Sequence, residues 1–183
     1  MNNKAHDVSA YAFSKGEPLL LDANVWLYLF PAPSDPNLAP ASGYSAAFKQ
    51  ILSIGAQLAI DPIVVSEYLS GYCRIEFKAL FQKKYGTFKP FRKSPDFATV
   101  GQKAVFYAQE ILKLCSRNDY PFSKIDTAQM LLSVESGAMD ANDSLLIESC
   151  RHNGWKLVTH DGDCTLGGIE VLTTNPDLIA ACP

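Results

Sequence analysis

Two hydrophobic rhythms alternate along the chain. Short, wholly apolar runs predict buried strands, and stretches whose apolar residues recur every three or four positions predict helices. Leu19-Leu20-Leu21 is the first such run; it stops at Asp22-Ala23-Asn24 and gives way to a short helix over residues 25–30. Residues 31–40 hold four prolines with Ser34, Asp35 and Asn37, and predict a loop. Tyr44, Phe48, Ile51 and Leu52 share a helical face that Gly55 closes, and Leu58-Ala59-Ile60 is a second strand. After Asp61-Pro62, the residues Val64, Val65, Tyr68, Leu69, Tyr72 and Ile75 line a helix predicted to reach about Lys84, followed by a loop over 85–95.

The same period returns at Val100, Ala104, Tyr107, Ile111 and Leu114, then, after a connector at 118–121, at Ala128, Leu131, Leu132 and Glu135, where Gly137 ends it. Asp140-Ala141-Asn142-Asp143 opens another helix, with acids where N-caps and first turns favour them, and Asn153-Gly154 stops it. Residues 155–159 and 169–172 predict the last two strands. Strands alternating with helices imply an α/β fold around a mainly parallel sheet.

Composition narrows the class. With 183 residues, 48% of them hydrophobic and 19% charged, the chain is long and apolar enough for one domain with its own core, which excludes wholesale disorder. Residues 1–17 are polar and mixed, without the apolar core of a signal peptide, and are expected to be an extension ahead of a single domain at 18–183. No apolar run approaches the ~20 residues of a membrane helix. The five cysteines are scattered and never spaced C-x-x-C, so neither a disulfide framework nor a zinc site is indicated, and a reducing, cytoplasmic location is expected.

Charge is unevenly placed. The segment 74–93 holds Arg74, Lys78, Lys83, Lys84, Lys89, Arg92 and Lys93 against one acid, Glu76, and so carries +6 within a chain whose total is −3. Such a segment is either a solvated face or a surface for a polyanion. Tyr85, Phe88 and Phe91 interleave with its cations, where they either stack on unpaired bases or pack in the core.

The acids carry the chemistry. Ligands of open parallel sheets bind beyond the carboxyl ends of the strands. Asp22 directly follows one predicted strand, Asp161 and Asp163 follow another, and Glu67 and Asp143 sit near helix starts. Two carboxylates ~4 Å apart repel by ~4 kcal/mol at an effective dielectric of 20. A group of them therefore needs a cation or raised pKa values, and an all-oxygen donor set without nearby His or Cys suits Mg²⁺ or Mn²⁺. Of Asp140 and Asp143, either can cap the helix while the other serves the cleft.

Four segments together resemble the motifs of PIN-domain ribonucleases, in order and over about residues 18–175: residues 19–25 (LLLDANV), 64–69 (VVSEYL), 142–147 (NDSLLI) and 156–163 (KLVTHDGD). The resemblance implies a three-layer α/β/α fold, with a helical and basic insertion around 76–125. It implies a metal-dependent endoribonuclease in which Asp22, Glu67, Asp143 and Asp161 are catalytic. Asp22, Asp143, Asp161 and Asp163 would ligate Mg²⁺ or Mn²⁺, while Glu67 ligates or orients the nucleophile. Asn24, Thr159 and Asp140 would support the site, and Lys83, Lys84, Arg92 and Lys93 would contact RNA phosphates.

Ser144 stands where Ala is commoner, His160 where Glu, Arg or Lys is usual, and a Cys follows Asp163 in place of an aromatic. Small bacterial members of the family resemble VapC toxins, which implies a homodimer and an antitoxin that sets a basic side chain among the acids. A non-toxin PIN nuclease of RNA processing or decay, a non-catalytic module binding RNA or protein, and an aspartate phosphatase or phosphoreceiver stand as alternatives; the last lacks a convincingly placed Lys.

Overall fold

The computed structural model describes residues 1–119 and 122–183; Tyr120 and Pro121 of the predicted 118–121 connector lie outside the described residues. Six strands form one sheet: β1 (Lys4–Asp7), β2 (Pro18–Leu21), β3 (Gln57–Ile60), β4 (Ser116–Arg117), β5 (Lys156–Val158) and β6 (Glu170–Thr173). They lie in the order β1-β6-β5-β2-β3-β4, each parallel to its neighbours. Leu20 of β2 stands beside Ala59 of β3 on one side and Leu157 of β5 on the other, and Leu157 beside Val171 of β6. Leu19, Leu20, Leu21, Leu157, Val158, Val171 and Leu172 are all buried, as expected of a parallel sheet covered on both faces.

The covering helices are α1 (Ala23–Leu29), α2 (Ala41–Ile54), α3 (Pro62–Glu76), α4 (Gln82–Tyr85), α5 (Phe88–Arg92), α6 (Phe97–Leu114), α7 (Thr127–Glu135), α8 (Ala141–Asn153) and α9 (Pro176–Ala181). The result is the three-layer α/β/α arrangement the sequence predicts. Several boundaries follow from capping chemistry. Asp61 accepts from the Val64 N–H at 3.0 Å, with Pro62 in the first helical position, where its missing N–H costs nothing. Gly55 and Gly154 end α2 and α8 in the left-handed conformation that glycine tolerates best. Asn175 caps α9.

The structure departs from the sequence expectations at the margins. The first 17 residues are no free extension: β1 pairs with β6 from Lys4 to Asp7, and buried Asn3 bonds to the Cys164 carbonyl and the Ile169 N–H, both at 3.0 Å. Behind β1, the Lys156 ammonium lies 2.8 Å from Glu17 and 2.6 Å from Glu170, and 2.5 Å from the Tyr11 hydroxyl. Charged side chains on an edge strand are a common guard against strand-to-strand aggregation, and they hide such a strand from pattern reading. β4 and α9 were likewise not anticipated.

The long helix expected to reach Lys84 ends at Glu76 and continues as a π-helical turn, Phe77–Phe81, before α4. The buried Glu76 carboxylate accepts the Ser34 N–H at 2.8 Å, and the Tyr68 hydroxyl donates to the Phe30 carbonyl at 2.8 Å, so α3 grips both the end of α1 and the proline loop. The predicted 85–95 loop contains α5, whose Phe91 is completely buried, with the rings of Phe77, Phe81, Tyr85, Phe88 and Phe97 at 4.6–6.0 Å. Phe91 is thus a core residue. Around it Lys83, Lys84, Arg92 and Lys93 are exposed, and Lys84 is held by Asp96 at 2.6 Å.

All five cysteines are free thiols. Among the described residues no helix is long and apolar enough to cross a membrane.

Candidate active site

Strand order reverses between β2 and β5: from β2 the chain moves one way to β3 and β4, then crosses back to β5 and on to β6. The carboxyl ends of two adjacent strands there leave a crevice between diverging connections, the usual place for a ligand in such a sheet.

Asp22 leaves β2 into this crevice and also caps α1. Its Oδ1 accepts the Ala23 N–H at 2.5 Å; its Oδ2 accepts the Asn24 amide and the Thr159 hydroxyl, each at 2.6 Å. Thr159 directly follows β5 and is fully buried. Its hydroxyl also accepts the Asp161 N–H at 3.0 Å, which shapes the turn carrying that acid. Asn24 completes the brace, donating to Thr159 at 3.1 Å and accepting the His160 N–H at 3.1 Å. Asn24 and Thr159, two of the three residues expected to support the site, therefore tie the ends of β2 and β5 together around one carboxylate.

Glu67 comes from α3, and its Oε1 accepts the Asn142 amide of α8 at 2.6 Å. Asp140 caps α8 by accepting the Asp143 N–H at 2.9 Å, which leaves the Asp143 carboxyl for the cleft. The division left open between these two acids is thus made: Asp140 caps, and Asp143 faces the other carboxylates. Asp163 is exposed and donates its backbone N–H to Asp161 Oδ1 at 2.9 Å.

The acids act on one another electrostatically. Burial pushes the Asp143 carboxyl up to about 7, with Asp140, Asp161, Asp22 and Glu67 adding to the rise. Asp22, only 5% exposed, is also raised, by burial first and by Asp161, against its three hydrogen bonds. Glu67 is raised by burial and by Asp22, Asp140 and Asp61. Four positions distant in sequence share one field.

Among the described residues no three His, Cys, Asp or Glu side chains are already gathered as a metal-ligand set. Both carboxylate oxygens of Asp22 and Oε1 of Glu67 accept from neutral donors, which do not cancel the negative charge of the cluster. The donor set is all oxygen and its members repel one another, so its chemistry fits a hard divalent cation.

Some contributors carried no sequence signal. Asp61 caps α3, is itself raised by burial, and acts on Glu67. Tyr44, which the helical pattern marks only as core, donates its hydroxyl to the Thr159 carbonyl at 3.0 Å and accepts the Thr174 N–H at 3.1 Å. Its ring stacks on Tyr28 with centroids 5.6 Å apart and planes 8° from parallel, and His160 meets both rings edge-on.

The raised carboxyls give a pH prediction. A folded-state pKa above the unfolded one, near 3.9 for Asp, favours the native state at pH values below the unfolded pKa. That contribution is lost as pH rises through the folded value, here about 7 for Asp143. In chelator, the thermal midpoint is expected to fall between pH 5 and 8 by roughly 2–8 °C, allowing for solvent screening of a partly exposed group. Asp143→Asn should flatten the profile; an equally steep profile in the variant would place the effect elsewhere.

An α/β fold with an acidic crevice at the switch point of its parallel sheet defines the class. A PIN domain family model matches residues 19–167, and the chain belongs to the PIN domain family, whose members are generally nucleases. In fold it is similar to a chain in the crystal structure of VapBC2 from Rickettsia felis bound to a DNA fragment from their promoter. That match has a TM-score of 0.53 and 16% identity over 85% of this chain and 97% of the other. No curated protein sequence matches.

Proposed function

We propose that the chain is a metal-dependent endoribonuclease that hydrolyses RNA phosphodiester bonds at the Asp22–Glu67–Asp143–Asp161 crevice. The observation that carries this reading is that burial and the neighbouring charges of Asp140, Asp161, Asp22 and Glu67 push the Asp143 carboxyl up to about 7. Asp22, Asp143 and Asp161 would hold Mg²⁺ or Mn²⁺, with Asp163 beside them. When bound there, such an ion would lower the pKa of a water enough for it to serve as nucleophile near neutral pH. Asn24 and Thr159 fix the Asp22 carboxylate, Thr159 shapes the turn that presents Asp161, and Asn142 orients Glu67.

Purified protein is expected to cut single-stranded RNA with Mg²⁺ or Mn²⁺ and to stop in EDTA. Failure to cut RNA with either metal overturns the reading in favour of a binding module.

An acidic crevice needs a cationic surround to admit RNA. Lys83, Arg92 and Lys93 are exposed on the segment that Phe91 anchors, whereas Lys84 shares its charge with Asp96. Replacing Lys83, Arg92 and Lys93 with Ala should weaken RNA binding and reduce the slope of log K against log salt by about 2, at ~0.7 per phosphate contact on a single strand. An unchanged slope would assign these cations to solvent alone.

The fold likeness to a VapBC2 chain supports a further proposal, that the protein is the toxin of a toxin–antitoxin pair, acting as a cytoplasmic homodimer. The antitoxin would place Arg or Lys among the carboxylates. A small adjacent reading frame whose product copurifies with the chain and blocks cleavage is the expected finding.

A further inference from the structure

Beside the acidic crevice lies a second cavity, of about 510 Å³, within the range of pockets that hold small organic groups. Its walls differ in chemistry. On one side are Leu27 of α1, Ile75 of α3 and Ala79 of the π-helical turn; on the other are Ser34, Asp35 and Asn37 of the proline loop. That loop is held in shape from within and from behind: the Asp35 carboxylate accepts the Asn37 N–H at 2.8 Å, and buried Glu76 holds the Ser34 N–H.

Two further lining residues join this cavity to the site. Asn24 reaches it while its amide bonds Asp22, and Tyr28 lies against it, backed by its stack on Tyr44, whose hydroxyl is tied to the end of β5. The Tyr28 phenol is raised by burial first and then by the charges of Tyr44, Asp35 and Asp22. Lys78 brings a cation to the same rim.

We propose that this cavity takes the nucleobase of the nucleotide next to the scissile phosphate, so that Tyr28 and the loop residues Ser34 and Asn37 select which RNA sequences are cut. The inference rests on the ribonuclease reading. An apolar wall and an aromatic ring suit the flat faces of a base, the hydroxyl and amide of the loop suit its edge, and Lys78 suits the adjoining backbone phosphate. An apolar peptide side chain would leave the loop's polar groups without partners. Because Asn24 lines the cavity and bonds Asp22, the cavity adjoins the crevice at that residue.

The test uses two variants that leave the acids intact. Tyr28→Ala removes the ring; Ala79→Trp fills the cavity from an exposed position. Wild type and variants are given a randomised RNA pool with Mn²⁺, and the bases flanking each cut are read by sequencing. Binding is measured separately in EDTA with short single-stranded RNAs carrying 2-aminopurine at successive positions. The wild type should favour particular bases at one flanking position, and both variants should flatten that preference by about ten-fold while still cutting the pool. In the binding arm, one position should be quenched by the wild type and released in Ala79→Trp.

A wild-type base preference that survives in both variants overturns the proposal. If no RNA is cut at all, the ribonuclease reading fails, and the binding arm decides the cavity alone: quenching lost in Ala79→Trp supports it, and equal quenching overturns it. Ala79→Trp that leaves RNA binding and cut sites unchanged yet releases a copurified protein partner makes the cavity a protein-docking groove, and likewise overturns it.

Discussion

Replacing Asp22 with Asn is expected to lower RNA cleavage by on the order of a thousand-fold or more, the scale seen when one member of a catalytic unit is removed. Both oxygens of Asp22 are fixed, by Ala23, Asn24 and Thr159, so its position is set before any ligand arrives. The substitution keeps the shape of the side chain and removes the charge that binds a cation. Its effect on stability is small because two changes oppose. Burying a neutral amide relieves the desolvation that raises the Asp22 pKa, while one of its oxygens becomes a donor facing donors, a conflict costing about 1–3 kcal/mol. Cleavage of a labelled RNA in Mg²⁺, with thermal midpoint and far-UV circular dichroism as fold controls, checks both halves. A folded variant that still cuts at a rate near wild type would remove Asp22 from the ligand set.

Phe91→Ala is expected to cost about 3–5 kcal/mol of unfolding free energy, the usual penalty for emptying a buried aromatic site. Five rings surround Phe91, contributed by the π-helical turn, α4, α5 and α6, so no single neighbour can move in to fill the gap without disturbing the others. Urea denaturation measures the loss. A decrease below about 1 kcal/mol would show that the cluster closes over the space. The same variant should weaken RNA binding, since Arg92 and Lys93 follow Phe91 directly on the element that it anchors.

The central strands were legible because each rests on a local pattern, whereas the four acids stood out only through their joint placement. A run such as Leu19-Leu20-Leu21 ending at Asp22 marks the strand and its end, whereas the choice of Asp140 over Asp143 as cap was settled only by the bond to the Asp143 N–H. The aromatic segment was not legible in the same way: Tyr85, Phe88 and Phe91 among lysines read equally well as a stacking surface or as core, and only their shared packing separates Phe91 from its neighbours. β1 was missed because an edge strand bearing Lys4, His6 and Asp7 has no buried face to alternate. Tyr44 lacked any signal as a brace of the site, since the bond from its hydroxyl to Thr159 spans 115 residues. Long-range hydrogen bonds of this kind are properties of the assembled sheet.

The Thr159–Asp22 bond joins residues 137 apart, through a strand that must slot between β2 and β6. During translation Asp22 and Glu67 leave the ribosome long before β5 is made, and until it inserts they have no Thr159 to fix the first acid and no Asp161 to oppose it. The crevice is therefore incomplete on the nascent polypeptide, and whatever chemistry it performs begins only after β5 has found its place.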